Sequence, residues 1–262
     1  MEDLQSARDD RGVALDHVGV SGLSYPIVVW DRAQERQQTV GTFAMSVSLP
    51  QHFKGTHMSR FIEVLDDHRG EITLHTMPSL LSDLQQRLEA ERARVEVRFP
   101  YFLERAAPVS GARSLMDYEC AFVGEVKAHG KGAMDFLLEV NVPLTSLCPC
   151  SKAISDYGAH NQRSRMTLQV RAQPEEMIWI EELVQLAERC GSAPVYPLLK
   201  RADERHVTMQ AYDNPMFVED MVRAAALELR QDKRVSWFRV HAENHESIHN
   251  HAAFASVEET LA

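Results

Sequence analysis

The sequence predicts an α+β fold in which antiparallel strands pack against paired helices. Three observations carry this. Alternating apolar segments cluster before and after segments with helical spacing, instead of alternating singly with them. The order strand, helices, strands returns later as strands, helices, strand, without an obvious sequence repeat. No glycine-rich loop of the Walker or dinucleotide type is present, so nothing signals a phosphate-binding βα turn.

Each element has its own signal. The first ~35 residues read as irregular, broken by Gly12, Gly19, Gly22 and Pro26, with Val13 to Trp30 lying extended on another surface. Gln37 to Leu49 alternates as a strand and Pro50 ends it. A short helix is expected from Met58 to Asp67, stopped near Gly70. A longer one is expected from Pro78 to Ala93, with Thr76 as a candidate cap and Leu80, Leu81, Leu84 and Leu88 as its apolar stripe. Strands follow at Arg94 to Glu104 and Ser114 to His129. Gly130-Lys131-Gly132 reads as a tight turn into a strand at Ala133 to Val142, and the Cys148-Pro149-Cys150 segment reads as a loop. Arg163 to Gln173 alternates again. Helices are expected from Glu175 to Cys190, and from Asn214-Pro215 to Arg230, before a closing strand at Val235 to Ala242. The duplicated order divides the chain into modules at residues 1–130 and 131–262.

Composition narrows the function classes. The 262 residues include 38 Asp and Glu against 28 Lys and Arg, a net charge of −10. That field opposes nucleic acid binding through the whole surface but leaves room for a local anion site. No run of about 18 apolar residues occurs, so no membrane span is expected. The start Met1-Glu2-Asp3-Leu4-Gln5-Ser6 lacks the basic and apolar parts of a secretory signal. A cytoplasmic protein is expected, and its four cysteines are then better suited to thiolate chemistry or metal binding than to disulfides.

The chemistry concentrates in Cys148 to Arg163, which holds two thiols, Lys152, His160 and Arg163 within sixteen residues. In an extended chain Cys148 and Cys150 point the same way across Pro149, so both sulfurs are expected to face one cleft. A thiolate is a zinc ligand and a nucleophile, and the imidazole of His160 can ligate a metal or move protons. Cys120 and Cys190 fall in strand and helix patterns and read as packing residues. A second dense run, Glu243 to His251, would as a helix place His249 on one face with Glu246 and His245. Alternatively it is a solvated polar stretch. Asp203-Glu204 and Glu219-Asp220 read singly as surface carboxylates, Glu219 favoured by the start of its helix. Lys152, Arg163, Arg165, Lys200 and Arg201 could gather around an anion, as could Lys54, His57 and Arg60.

The stretch Cys148-Pro-Cys-Ser-Lys-Ala-Ile-Ser-Asp-Tyr-Gly-Ala-His-Asn-Gln-Arg163 resembles the signature of the type IB GTP cyclohydrolases, prokaryotic enzymes of the folate pathway. Gly55 to Phe61, Leu198 to Glu204, Asn214 to Asp220 and Glu246 to His249 resemble further blocks of that family in the same order. The resemblance implies tandem tunnelling-fold modules that assemble into β-barrels, a homotetramer with sites at subunit interfaces, and hydrolysis of GTP to 7,8-dihydroneopterin triphosphate and formate. It implies a divalent metal (zinc, manganese or iron) held by Cys148, His160, Glu204 and His249. Cys148, His160, Glu246 and His249 are the implied catalytic residues. Glu219 is the implied purine anchor, with Lys152, Arg163, His57 and Arg60 expected at the substrate. Two rival readings are the tunnelling-fold nitrile reductase of queuosine synthesis, which would need no metal, and a zinc-holding scaffold closed by Cys148, Cys150, His160 and His249.

Overall fold

The computed structural model describes residues 5, 7–73, 75–127 and 134–261. The chain forms two compact units. Residues 1–100 with 121–137 make the first, and residues 101–120 with 138–262 make the second. The expected Gly130-Lys131-Gly132 turn lies outside the described residues, as do the end of the strand before it and the start of the strand after it.

In the first unit, β1 (Leu15–Asp31), β2 (Glu35–Leu49), β3 (Gly70–Glu71) and the start of β4 (Ala93–Ala106) lie in the order β3-β1-β2-β4. β1 corrects the expectation of an irregular N-terminal segment: it is a 17-residue strand paired antiparallel with β2. The glycines and proline that suggested breaks are accommodated. Gly22 has φ +74 beside a register shift between Ser21 and Leu23, so it marks a bulge within the strand. Pro26 is tolerated because, among the described residues, β3 pairs with β1 only at Ile27 and Val28, which leaves Pro26 unpaired on that side. Helix α1 (Met58–Asp67) buries Phe61, Val64 and Leu65. Helix α2 (Met77–Leu88) stops short of Ala93, because Glu89 takes a left-handed conformation with φ 51. Thr76 makes no side-chain cap, since its hydroxyl accepts from the Thr73 amide instead. Met77 packs so close to Gly124 that a Cβ there would stand 2.5 Å from its side chain, so only glycine lets helix and strand approach this closely.

The second unit contains the rest of β4, most of β5 (Arg113–Val126), most of β6 (Asp135–Leu147), and all of β7 (Asn161–Ala172), β8 (Ala193–Pro194), β9 (Val235–His245) and β10 (Ala252–Thr260). β10, β9, β7 and β6 are neighbours in that order, and β8 pairs with β6. The inward faces supply the core: Val140, Val142 and Leu144 from β6, Met166, Leu168 and Val170 from β7, and Phe238, Val240 and Ala242 from β9. Helix α4 (Ile180–Arg189) begins five residues later than expected, because Glu175 has φ 67 and cannot start a helix. Helix α5 (Arg201–Asp213) has no counterpart in the sequence reading, since it buries only Asp203 and Ala211 and so shows no apolar stripe. Helix α6 (Val218–Gln231) starts three residues after Pro215 and buries Val218, Met221, Val222, Ala225, Ala226 and Leu229, spaced three and four apart. Each of these helices carries a carboxylate at its third position that accepts from the amide just before the helix. The pairs are Glu182 with Trp179, Asp203 with Lys200 and Asp220 with Phe217. Among the described residues no helix is long and apolar enough to cross a membrane.

Candidate active site

The Cys148 segment is a short helix, α3 (Pro149–Ile154), where the sequence suggested an extended loop. Proline is well placed in a first turn, where no amide hydrogen is needed. Cys148 stands before it, and its sulfur accepts from the Ser151 amide at 3.5 Å. The helix also parts the two thiols. Cys148 is half-buried and Cys150 is exposed, so the expectation that both sulfurs face one cleft is not met. Cys120 and Cys190 are buried as expected. Burial pushes the Cys120 thiol well up, with Glu139 adding to the effect, and pushes Cys190 up to about 12, which leaves both protonated and inert.

His160 is brought back to Cys148 by the chain. The Cys148 amide donates to the His160 carbonyl at 3.0 Å, and the His160 amide donates to the Ser151 hydroxyl at 3.2 Å. Glu246 reaches His160 from the turn after β9, its Oε2 3.9 Å from His160 Nδ1. The run from Glu243 to His251 is therefore the end of a strand and a turn, not a helix, and Glu246 is drawn inward while His249 is exposed and stacks on His251 with ring centroids 5.0 Å apart.

Beneath this group the sheet changes character. The inward positions of β6, β7 and β9 are apolar along most of their length and turn polar at one end, at Ser146, at Gln162 and Ser164, and at Asn244. The register puts Ser146 opposite Gln162 and Ser164 opposite Asn244. Gln162 Oε1 lies 2.9 Å from His160 Nδ1, while its Nε2 donates to Ser146 Oγ at 3.3 Å. Asn244 Nδ2 donates to the same oxygen at 3.1 Å, and Ser164 donates to Asn244 Oδ1 at 2.6 Å. The Ser146 hydroxyl donates to the Met216 carbonyl at 3.1 Å, and the Met216 amide to the Leu147 carbonyl at 3.0 Å. Gln162 and Asn244 fall within the two stretches singled out in the sequence, but neither they nor Ser146 and Ser164 have a role there. The signal was the arrival of Ser and Gln at positions that the alternation assigns to the inner face.

The other expected residues are placed as follows. Glu219 is exposed in the first turn of α6, where the helix dipole favours a carboxylate. Glu204 is exposed on α5, but its neighbour Asp203 is fully buried, which corrects the reading of that pair as surface charge. Burial works to raise the Asp203 carboxyl. The Ser110 hydroxyl and the amides of Ser110, Lys200 and Val109 outweigh it and hold the group well below the usual range. Lys152 donates to the Tyr212 carbonyl and sits 4.2 Å from the centre of that ring. Arg163 projects from the face of β7 opposite Gln162, into an open groove with Asp117, Asn141, Arg165 and Tyr196. In the first unit, His57 precedes α1, and Arg60 donates to the Arg87 carbonyl at 2.7 Å.

The donor chemistry fits a divalent cation: a lightly bonded thiol, an imidazole whose Nε2 has no hydrogen bond among the described residues, and a carboxylate beside it. Among the described residues of this single chain, no three His, Cys, Asp and Glu side chains are gathered into a metal cluster, so Glu204 and His249 do not complete one with Cys148 and His160.

Antiparallel sheets backed by helices, with the polar chemistry at the strand ends, define a tunnelling-fold protein. A uricase from Bacillus fastidious shares the fold with a TM-score of 0.58 at 7% identity, over 94% of each chain. The urate oxidase of Bacillus subtilis 168 does so at 0.55 and 9%, over 93% of this chain and 98% of that one. Within that class, the chain belongs to the type I GTP cyclohydrolase folE2 family, whose model matches residues 1–255. GTP cyclohydrolase FolE2 of Syntrophotalea carbinolica is 55% identical over 258 residues, 98% of this chain and 95% of the relative. GTP cyclohydrolase FolE2 of Geobacter sulfurreducens is 54% identical over 259 residues, 99% and 98%.

Proposed function

We propose that this chain is a type IB GTP cyclohydrolase, converting GTP to 7,8-dihydroneopterin triphosphate and formate as the first step of tetrahydrofolate synthesis. The observation that carries the proposal is the backbone pairing of Cys148 with His160, whose ring faces Glu246 and the Gln162 amide, in a chain of this family.

Glu219 recognises the base. Its carboxylate can accept the N1–H and exocyclic N–H of guanine as a charge-assisted bidentate pair. Adenine presents an acceptor at N1 and is rejected. Lys152 and Arg163, with His57 and Arg60, are the cations assigned to the triphosphate, whose binding orients the reacting end. A divalent metal, when bound, supplies Lewis-acid chemistry that makes water a nucleophile near neutral pH. Cys148, His160, Glu204 and His249 are the residues proposed to hold it. Proton transfer during opening of the imidazole ring at C8 falls to His160 or His249, with Glu246 beside His160 to steady the charged ring. Loss of formate, rearrangement of the ribose and ring closure complete the reaction. Tandem modules at residues 1–130 and 131–262, a homotetramer with interface sites and a cytoplasmic location belong to the same proposal.

The test is a fluorescence and chromatographic assay for pterin from GTP, with formate measured in parallel and zinc, manganese and iron restored one at a time after chelation. Cys148→Ala is expected to release no formate while its circular dichroism is unchanged. Normal turnover by that variant, or by the chelated protein, would defeat the proposal.

A further inference from the structure

We infer that Gln162 is a positioning residue: the buried relay from the Met216 carbonyl through Ser146 to Gln162 fixes the proton of His160 on Nδ1 and turns Nε2 outward as a bare lone pair.

The direction of the relay follows from counting hydrogens. A backbone carbonyl can only accept, and a serine hydroxyl has one proton to give. The Ser146 proton is taken by the Met216 carbonyl at 3.1 Å. Ser146 Oγ is therefore left with two lone pairs, and the two side chains that approach it, Gln162 at 3.3 Å and Asn244 at 3.1 Å, must both donate. A donating Gln162 Nε2 puts Oε1 on the other side of the amide, 2.9 Å from His160 Nδ1. An amide oxygen cannot donate, so Nδ1 must carry the hydrogen. Glu246 Oε2, at 3.9 Å from the same nitrogen, presses the same way, because a carboxylate also favours a donor opposite it.

The alternative fails on the same count. Turning the Gln162 amide would make Oε1 claim the Ser146 proton, strand the Met216 carbonyl and push the imidazole hydrogen onto Nε2. Ser146 is fully buried and Gln162 is nearly so, so two acceptors would then compete for one proton inside the sheet and one hydrogen bond of the relay would be lost. The relay has a second end. Met216 lies three residues before Glu219, and β6 holds its carbonyl through Ser146 and its amide through Leu147. One hydroxyl thus sets both the tautomer of His160 and the seat of the helix that carries the proposed purine anchor.

This rests on the reading of His160 as a ligand or proton carrier, and the experiment separates the two ideas. Protein labelled with ¹⁵N-histidine is examined free of metal at about pH 8, where an ordinary imidazole is neutral. Long-range proton–nitrogen correlations are expected to show the His160 hydrogen on Nδ1. Gln162→Met, which keeps the bulk and removes the acceptor, should move it toward Nε2. The same variant should lose about 10- to 100-fold in cobalt(II) affinity, read by visible absorption, the usual cost of losing the partner behind a metal-binding histidine. Its kcat should fall while KM for GTP stays within about twofold. Ser146→Ala, a second and smaller change, should blur the tautomer and also raise KM, because it loosens Met216. Wild-type His160 protonated on Nε2, or a Gln162→Met protein with unchanged tautomer and cobalt affinity, would overturn the relay. Full turnover by His160→Ala would overturn the proposal at its other root, the functional reading of His160, and the nitrogen spectrum of the wild type tells the two failures apart.

Discussion

The inner faces of the two units end differently. In the first, β2 offers Phe43, Met45, Val47 and Leu49, and β4 offers Val95, Val97 and Phe99; the one buried polar side chain of its described strands, Asp31 at the end of β1, is spent on the turn to β2, where it accepts from the Ala33 and Gln34 amides. In the second, β6, β7 and β9 run apolar and then present Ser146, Gln162, Ser164 and Asn244 at one end. A buried polar group that is not fully bonded costs stability, so a strand gains nothing by ending this way for packing alone. The polar end is retained where it has work to do, and it is bonded through Gln162 to His160. The first unit spends its inner face on cohesion and on closing the β1–β2 turn at Asp31, and the second gives up part of that cohesion to orient His160.

The largest effect expected from this contrast is on the apolar side. Phe43 is fully buried and pairs with Val97 on β4 and Leu23 on β1. Phe43→Ala should cost about 3–5 kcal/mol in unfolding free energy. Turnover per folded molecule should be unchanged. Urea unfolding alongside active-site titration measures both, and a loss of turnover matching the loss of stability would erase the distinction between the units.

A smaller effect is expected at the edge of the polar end. Glu219 is exposed, so its removal costs the fold little. Glu219→Gln should lower kcat/KM for GTP by about 1.5–3 kcal/mol, the range for a hydrogen bond to a charged group, carried mostly by KM. Isothermal calorimetry with GTP checks it, and equal affinity in both proteins would remove Glu219 from the base pocket.

Much of this was legible in the sequence. Helix α1 runs from Met58 to Asp67 as its spacing predicted, and α6 and strands β4, β7 and β9 fell near their expected limits, because each couples an apolar period to a clear stop. What failed did so for local reasons. β1 was hidden by glycines and a proline that an edge strand with a bulge absorbs. α5 was hidden because a helix that buries one aspartate and one alanine has no stripe to read. Cys148, His160 and Glu246 were legible as reactive residue types; the structure ties the Cys148 backbone to that of His160 and sets Glu246 beside the His160 ring. Gln162, Ser146 and Asn244 were not, because an amide or hydroxyl reveals its role only when its strand register is known.

Asp203 tests whether a buried polar group in the second unit must belong to the site, and the expectation is that it need not. Its carboxylate takes amides from Val109, Ser110 and Lys200, each at 2.8 Å, and the Ser110 hydroxyl at 2.6 Å, tying the turn after β4 to the start of α5. These donors hold its folded value below the usual range despite burial. In the unfolded chain the same carboxyl titrates near about 3.9. A group depressed by folding stabilises fully above the unfolded value and loses that contribution as pH falls toward the folded one. Wild-type melting temperature should therefore drop between about pH 5 and pH 3. Asp203→Asn sets an NH₂ group against amides that can only donate, so it should melt lower than wild type at pH 7. The gap between the two proteins should narrow as pH falls through that window, while kcat per folded molecule at neutral pH stays the same. A gap that is constant from pH 7 to pH 3 would mean that the carboxylate charge is not what secures the turn. A selective loss of kcat would move Asp203, and α5 with it, from the scaffold into the site.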